Sequence, residues 1–295
     1  MLGAYASEQH YKVHLEALLP TLRESVEVTE KWYEQRPSEQ AVTVVASRRD
    51  AIRMKDRKVI LIEHGAGQWY GRDPGGGGFA HENVILFLAP RDEVAERTAE
   101  LYPNAKRVAI GSPLVESLRR IERKPERVVL TWHDTSAEMI EFRGAFAHYR
   151  PGLEQLAKNV AVLGNGHPRL RGRLRPKYQQ FGIETEWSWP KALSRAAAVS
   201  ADNTSVMWEA AACDVPLVVL DAPWFRAEVD YFPRFWAFAD IGPRISHPGQ
   251  WIEACQQAIE WAPRWAEIRA AATKAIYGEV DGSIGRAVMA ILEVL

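Results

Sequence analysis

A histidine followed by a glycine-rich turn ends one of the most apolar runs of the sequence. A strand is predicted over Val59 to Glu63, and His64 and Gly65 follow it directly. Ligands of parallel α/β sheets bind at the carboxyl ends of strands, and an imidazole titrates near neutral pH. We therefore predict that His64 is the catalytic general base for a hydroxyl, with Gly65 allowing close backbone approach. A histidine that only forms a hydrogen bond at a strand end is the alternative.

A second candidate site is a polar stretch that opens an apolar helix after a strand predicted over Ala198 to Ser200. Its residues are Asp202, Asn203, Thr204, Ser205 and, about one turn into the helix, Glu209. Free amides and the helix dipole favour phosphate at such a place, and hydroxyls add donors. We predict that the stretch binds the phosphates of a nucleotide and that Glu209 binds ribose hydroxyls. Simple N-capping and a solvated Glu209 are the alternatives.

Two further strand ends carry polar groups. His167 and Arg169 follow a strand predicted over Val160 to Leu163, in a turn that contains two glycines. Such a loop can bring positive and donor groups to a diphosphate, although a His-Pro turn is often only structural. Thr131 ends another predicted strand, where it can contact a nucleotide or pack internally. We predict that all three residues bind the nucleotide donor.

Near the end of the chain, Ser283 and Arg286 precede a helix predicted over Ala287 to Leu295. Ser283 has the residue type of a helix cap. Arg286 falls in the first turn, where a cation opposes the helix dipole unless an anion is close. We predict that both residues contribute to the donor site.

The elements that must position these residues alternate in type along the chain. Short β-branched runs separated by helical patterns are typical of parallel sheets with crossover helices. One helix is predicted over Ser7 to Leu22. Strands are also predicted at Ala41–Ala46, Val84–Leu88, Val108–Ile110, Val128–Trp132, Thr185–Trp187 and Leu217–Leu220. The fold class is therefore predicted to be α/β with parallel sheets.

A chain of 295 residues is expected to form two such units. The stretch Arg119–Arg127 is basic, contains a proline and has few apolar side chains, so we place a linker there and a boundary near residue 124. The expected domains are 1–124 on the acceptor side and 125–295 on the nucleotide-donor side. A dinucleotide fingerprint beginning at Gly65 would need glycine where Tyr70 stands, so a Rossmann dehydrogenase is not supported.

Composition excludes several classes of protein. The formal charge of −1 argues against a globally basic polyanion binder. The two cysteines, Cys213 and Cys255, provide no disulfide or zinc framework and fit a reducing, cytoplasmic compartment. The N-terminus lacks the pattern of a secretion signal, and the apolar runs are too short to span a membrane. We expect no integral membrane contact.

In their order along the chain, several segments resemble the CDP-glycerol glycerophosphotransferase family of teichoic-acid polymerases and primases. The segments are His64–Gly65, Gly111–Pro113, Leu130–Trp132, His167–Arg169, Ser200–Glu209 with Pro216, and Asp281–Ser283 with Arg286. The resemblance implies a GT-B fold, with two Rossmann-like domains whose parallel sheets face across a cleft. It further implies metal-independent transfer without a cofactor, with His64 as base and His167, Thr204, Ser205 and Arg286 near the phosphates of the donor.

The sequence also departs from that family. The tyrosine usual after Asp202 is Asn203, and the usual Gly-Tyr-Pro-Arg-Asn-Asp is reduced to Gly111–Glu116, which lacks the arginine. The expected function is transfer of a glycosyl or polyol-phosphate group from a nucleotide-diphosphate donor to a hydroxyl of a polyol or glycan. A nucleotide-sugar epimerase or hydrolase of the same fold is the alternative. A glycosyltransferase for modified DNA bases also stays open, since the basic run Arg169–Lys177 can contact phosphates.

Overall fold

The chain forms two compact units, each built on a parallel sheet of six strands. The computed structural model describes residues 1–33, 40–64, 80–134, 143–225 and 238–295. Every strand pairing in these ranges is parallel. The predicted α/β class with parallel sheets is confirmed.

The first unit comprises residues 1–117 and 274–295. Its strands are β1 (Leu2–Ala6), β2 (Val28–Trp32), β3 (Val42–Val45), β4 (Lys58–Ile62), β5 (Val84–Ala89) and β6 (Lys106–Ala109). They lie in the order β2-β1-β3-β4-β5-β6. Its helices are α1 (Gln9–Glu16), α2 (Leu19–Arg23), α3 (Arg48–Arg53), α4 (Asp92–Arg97) and the start of α5 (Pro113–Arg119).

Apolar side chains cover both faces of the first sheet, as expected for strands buried on two sides. One layer contains Leu15, Ile60 and Leu88, and the other contains Val45, Leu61 and Phe87. Successive side chains of a strand point to opposite faces, so Ile60 and Leu61 enter different layers. The C-terminal helix α13 (Ser283–Leu292) adds its apolar face to the first of these layers.

The second unit comprises residues 118–273. Its strands are β7 (Arg127–Thr131), β8 (Val162–Gly164), β9 (Glu184–Thr185), β10 (Ala196–Ala201), β11 (Leu217–Leu220) and β12 (Arg244–Ile245), in the order β12-β11-β10-β7-β8-β9. Its helices are α6 (Phe146–Tyr149), α7 (Leu153–Asn159), α8 (Arg171–Gln180), α9 (Trp189–Ser194), α10 (Val206–Ala212) and α11 (Trp251–Glu260). Helix α12 (Ala262–Tyr277) begins in this unit and ends in the first.

Large aromatic side chains fill the core of the second unit, and three of them have their polar atoms paired. The Trp132 indole donates to the Tyr178 hydroxyl at 2.7 Å, and that hydroxyl donates to the Asn165 carbonyl at 2.8 Å. The Trp251 indole donates to the Ser200 hydroxyl at 2.7 Å. A buried polar atom without a partner costs about 1–3 kcal/mol, so these bonds let the bulky rings lie under the sheet.

Sequence patterns missed three strands and joined two helices. Strand β1 is fully buried but reads Leu-Gly-Ala-Tyr-Ala, which contains no β-branched residue, and β2 contains the adjacent charged residues Glu30 and Lys31. Strand β12 has only two residues. The single helix predicted over Ser7 to Leu22 is two helices, because Pro20 stands at the start of α2, where its missing N–H does no harm.

The expected division at residue 124 differs from the observed one, which falls between Ser117 and Leu118. The stretch taken for a linker is bound to the second unit, since Lys124 N–H donates to the Ser194 carbonyl at 2.7 Å. The Arg123 side chain donates to the Ala196 carbonyl at 2.8 Å. Residues 274–295, expected in the second domain, belong to the first. The stretch was taken for a linker because it is basic and has few apolar side chains, and composition does not show hydrogen bonds of this kind.

Candidate functional site

The carboxyl ends of β7, β8 and β10 lie side by side in the second unit, because these strands are neighbours in its sheet. Each strand continues into a polar segment: His133 and Asp134 after β7, Asn165 and His167 after β8, and Asp202 after β10. This is the edge at which open parallel sheets bind ligands. We call residues 133–134, 165–169 and 202–205 together the carboxyl-edge cluster.

Asp202 ties the carboxyl-edge cluster together. Its Oδ1 accepts the backbone N–H of His133 at 2.8 Å, and its Oδ2 accepts that of Ala145 at 2.7 Å. The side chain is only 1% exposed, and this burial raises the pKa of the carboxyl to about 7 against the opposing effect of the two N–H donors. Gly144 is required beside it, because a Cβ there would lie 2.3 Å from the His133 carbonyl oxygen. The structure thus gives Asp202 a role in shaping the loops.

His133, His167 and Arg169 form the basic part of the cluster. The two imidazole rings lie 6.2 Å apart, and the His167 N–H donates to the Trp132 carbonyl at 2.9 Å. The Nδ1 of His167 accepts the Arg169 N–H at 3.3 Å, which caps a short 3-10 turn. The Arg169 guanidinium is 43% exposed and lies 3.4 Å from the Asp134 carboxylate. The structure places His167 and Arg169 together after β8, and their contact with the nucleotide donor stays a prediction.

Thr131 is buried, 1% exposed, and its hydroxyl lies 3.3 Å from the Asn165 side-chain oxygen. The Asn165 amide donates to the Glu186 carbonyl at 2.6 Å. Thr131 and Asn165 therefore connect β7 to the segment after β8. A direct contact between Thr131 and a nucleotide stays a prediction.

Asn203, Thr204 and Ser205 lead into α10. Asn203 and Thr204 are buried, and Ser205 is partly exposed. Ser205 occupies the N-cap position, yet its side chain makes no capping hydrogen bond. The alternative of simple N-capping is therefore not borne out for Ser205, the residue at the cap position. Phosphate binding by Thr204 and Ser205 stays a prediction.

Glu209 lies in the first turn of α10 and is 5% exposed. Burial raises the pKa of its carboxyl to about 7, an effect that the neighbouring Trp189 side chain opposes. The alternative of a solvated helix residue is therefore wrong. Contact with ribose hydroxyls stays a prediction.

In the first unit, His64 follows β4 and is partly exposed. Its ring contacts two rings of α1: the centroids are 5.0 Å from Tyr11 and 6.0 Å from His14. Burial, followed by the proximity of His64 and His10, holds the pKa of His14 well below its usual 6.5. Gly65, and with it the glycines Gly75–Gly78, lies outside the described residues.

Ser283 lies in the first unit and is fully buried. Its hydroxyl donates to Glu116 Oε2 at 2.9 Å, and the same oxygen accepts the Ile284 N–H at 2.7 Å. The N-cap position of α13 is Gly282, whose φ of 77° is left-handed. The Glu116 carboxylate therefore satisfies the helix start, a role for which Ser283 was expected.

Arg286 also belongs to the first unit, and all three of its guanidinium nitrogens donate to backbone carbonyls. Nε donates to Ile110 at 3.1 Å, Nη1 to Asp281 at 2.9 Å, and Nη2 to Glu279 at 2.5 Å. Carbonyl oxygens therefore balance the cation that was expected to need an anion. Ser283 and Arg286 are not in the unit that carries the other predicted donor residues, and their contact with the donor stays a prediction.

Sequence reasoning did not single out Asp134 or Glu116. Both are buried carboxylates, 7% and 6% exposed, that pair with residues distant in sequence. The only available signal was the position of Asp134 two residues after the Thr131–Trp132 strand end. Trp132 and Trp208 are 0% and 1% exposed and belong to the core, so neither ring is open to stack on a base.

Within the described ranges, no three His, Cys, Asp or Glu side chains are grouped as a metal site requires. No helix in the part of the chain that the structure describes has the length and apolar character to cross a membrane.

Comparison with known proteins shows similarity in fold. The sequence matches no family model and no curated protein. The wall teichoic acid polymerase TagF is similar with a TM-score of 0.69 and 11% identity, covering 99% of this chain and 88% of that one. A TagF variant soaked with CDPG gives a TM-score of 0.68 and 12% identity, over 99% and 86% of the two chains.

UDP-GlcNAc 2-epimerases are similar as well. The enzyme from Methanocaldococcus jannaschii, in complex with UDP-GlcNAc and UDP, has a TM-score of 0.61 and 13% identity over 100% of this chain and 99% of that chain. The one from Neisseria meningitidis, bound to UDP-GlcNAc, has a TM-score of 0.59 and 12% identity over 99% of both chains. These proteins are α/β proteins of the GT-B class. The chain therefore has a GT-B-like fold made of two Rossmann-like units.

Proposed function

We propose that the chain is a GT-B transferase that binds a nucleotide-diphosphate-activated donor at the carboxyl edge of its second sheet. One observation carries the proposal: the carboxyl-edge cluster gathers two histidines, an arginine and two hydroxyls at the ends of adjacent strands. Open parallel sheets bind ligands at this edge, and a diphosphate is recognised by charge-assisted and hydroxyl hydrogen bonds.

Arg169 and His167 would bind the diphosphate. The Arg169 guanidinium lies 3.4 Å from the Asp134 carboxylate, and the side chain is nearly half exposed, so a ligand can reach it. A guanidinium makes paired hydrogen bonds to phosphate oxygens, which a lone ammonium does not. Thr204 and Ser205 would add hydroxyl donors, and Glu209 would accept from ribose hydroxyls.

The transferred group would move to an acceptor hydroxyl with His64 as the base. The imidazole takes the hydroxyl proton while the acceptor oxygen forms the new bond. For a polyol-phosphate donor, that bond is to the outer phosphorus and the nucleoside monophosphate leaves. For a sugar donor, it is to the anomeric carbon and the nucleoside diphosphate leaves. In both cases the basic residues offset the negative charge that grows on the leaving phosphate.

The resemblance of the motifs to CDP-glycerol glycerophosphotransferases favours a polyol-phosphate donor within this class. The TagF structures support the same choice, since their TM-scores exceed those of the epimerases. The acceptor would be a polyol or glycan hydroxyl. The reaction as proposed needs no metal or cofactor beyond the donor, and the expected location of the enzyme is the cytoplasm.

A nucleotide-sugar epimerase is the second candidate. The observation in its favour is chain length. The two epimerase alignments cover 99% of each epimerase chain, whereas the TagF alignments cover 86–88% of the TagF chain. In that reaction His64 and Glu209 would act on the sugar of the bound nucleotide. Turnover without any acceptor would identify this activity.

The test is a thermal-shift screen against CDP, UDP, GDP and TDP and their glycerol or sugar conjugates, because a bound ligand stabilises the folded chain. A selective rise in Tm with one nucleotide is expected, and that donor is then assayed for turnover with and without acceptors. His64→Ala is expected to abolish turnover and leave the Tm rise intact. Absence of a rise with every nucleotide, with or without acceptor, would refute the donor site.

A further inference from the structure

Two aromatic rings of α1 contact the ring of His64 in the first unit. Tyr11 meets it at a centroid distance of 5.0 Å and an interplanar angle of 79°, and His14 meets it at 6.0 Å and 74°. Tyr11 and His14 are three residues apart and therefore lie on one face of the helix. Both contacts have the edge-to-face geometry that aromatic rings prefer.

Helix α1 is firmly held, so these rings are fixed in place. Tyr11 is 8% exposed and Leu15 is 1% exposed, and both belong to the core beneath the helix. The segment that leads into the helix is tied to α3, because the Ser7 N–H donates to the buried Asp50 carboxylate at 3.1 Å.

We propose that Tyr11 and His14 are positioning residues for His64: their rings hold the imidazole in one orientation at the end of β4, and the Tyr11 ring stabilises it when it carries a proton. This inference rests on the proposed function, in which His64 receives the proton of the acceptor hydroxyl. A base that turns freely would reach the hydroxyl only part of the time, and fixed orientation removes this loss.

Charge explains why the proton would reside on His64. An aromatic face within about 6 Å attracts a cation by about 0.5–1 kcal/mol at partly exposed sites, and Tyr11 meets this condition. Burial keeps His14 uncharged near neutral pH. Two neighbouring imidazoles do not readily hold two protons, and because burial disfavours the charged form of His14, His64 takes the first.

The other titratable groups on α1 and next to His64 belong to the same neighbourhood. His10 lies one turn before His14, and its Nδ1 is 3.7 Å from the Glu8 carboxylate. Glu63 precedes His64 in the chain. Lys12 is paired with Glu16 at 2.9 Å, near the end of the helix. A pH titration of His64 must therefore be compared between variants that leave these groups unchanged.

The test is an NMR titration of the intact protein with carbon-13-labelled histidine, in which His64→Gln identifies the His64 signal. In Tyr11→Leu, the pH at which His64 takes up a proton is expected to fall by about half a unit, which corresponds to loss of one such contact. Tyr11→Phe keeps the ring and is expected to restore the value, and His14→Leu is not expected to lower it. Gln9→Ala, at the exposed start of α1, is the control and is expected to change nothing.

Kinetics provide the second measurement once a donor is known. The two leucine variants are expected to lose about tenfold in kcat with little change in KM, with recovery in Tyr11→Phe and His14→Phe. A titration unchanged in Tyr11→Leu, or an unchanged kcat in both leucine variants, would overturn the inference. If the expected titration shift is observed but no donor gives turnover, the result would count against the proposed function alone, because the titration does not depend on activity.

Discussion

The Asp202 carboxylate accepts the backbone N–H of His133 at 2.8 Å, which joins the ends of β10 and β7. Its other oxygen holds the N–H of Ala145 at 2.7 Å. One buried side chain thus fixes the start of the loop after β7 and its return at residue 145. The positions of His133 and, through the Asp134 carboxylate, of Arg169 depend on this arrangement.

We predict that Asp202→Asn destabilises the second unit by about 1–3 kcal/mol, because an amide offers one acceptor oxygen where two N–H donors must be satisfied. Urea denaturation of the two proteins measures the difference. Asp240→Asn, at an exposed position, is the matched control and is expected to leave stability unchanged. Equal stability of Asp202→Asn and the parent protein would show that the observed bonds contribute little.

Glu209 should make stability depend on pH. Its folded-state pKa of about 7 lies above the ordinary 4.5, so the folded chain keeps a proton that the unfolded chain releases. The stabilisation from the protonated carboxyl is complete below about pH 4.5 and is lost as the pH rises to 7. Glu209→Gln cannot ionise, so its stability relative to the parent protein should increase over this range, by about 3 kcal/mol at most.

Unfolding free energies of both proteins between pH 4 and 8 check this expectation. Glu260→Gln, at an exposed glutamate of α11, is the control. Its unfolding free energy, measured at the same pH values, accounts for the general pH dependence of stability. A difference between Glu209→Gln and the parent that stays constant over the range would mean that Glu209 ionises normally despite its burial.

The double variant Thr204→Val/Ser205→Ala lacks both hydroxyls and should bind the nucleotide more weakly by about 1–3 kcal/mol, the usual value for hydrogen bonds to charged groups. Isothermal titration with the nucleotide found in the thermal-shift screen measures the change. The absence of a side-chain cap on α10 means that the double variant should fold with nearly normal stability. Unchanged affinity would rule out phosphate binding by these two hydroxyls.

Arg169→Gln should weaken nucleotide binding about tenfold, since a charge-assisted contact contributes about 1.4 kcal/mol or more. Its exposed position predicts little effect on folding. Arg175→Gln, on the exposed surface of α8, is the control for the loss of one positive charge. Similar losses of affinity in the two variants would indicate a general effect of charge and not a contact at Arg169.

The sequence by itself determined the α/β class, most strands of both sheets and the position of polar residues at strand ends. These features follow from local signals, because β-branched runs form strands and the residue after a strand lies at the edge of the sheet. His167 and Arg169 were found in this way, as were Asp202 and Glu209. Local patterns could not show that the last two carboxyls are buried.

Only the tertiary structure decided which distant residues meet. Glu116 and Ser283 bind each other at 2.9 Å although they are far apart in the chain, which places the C-terminal helix in the first unit. The bonds of Asp202 and the rings around His64 have the same character. Such contacts between distant residues are set by the packing of whole helices and strands against each other. Patterns of neighbouring residues along the sequence therefore do not encode them.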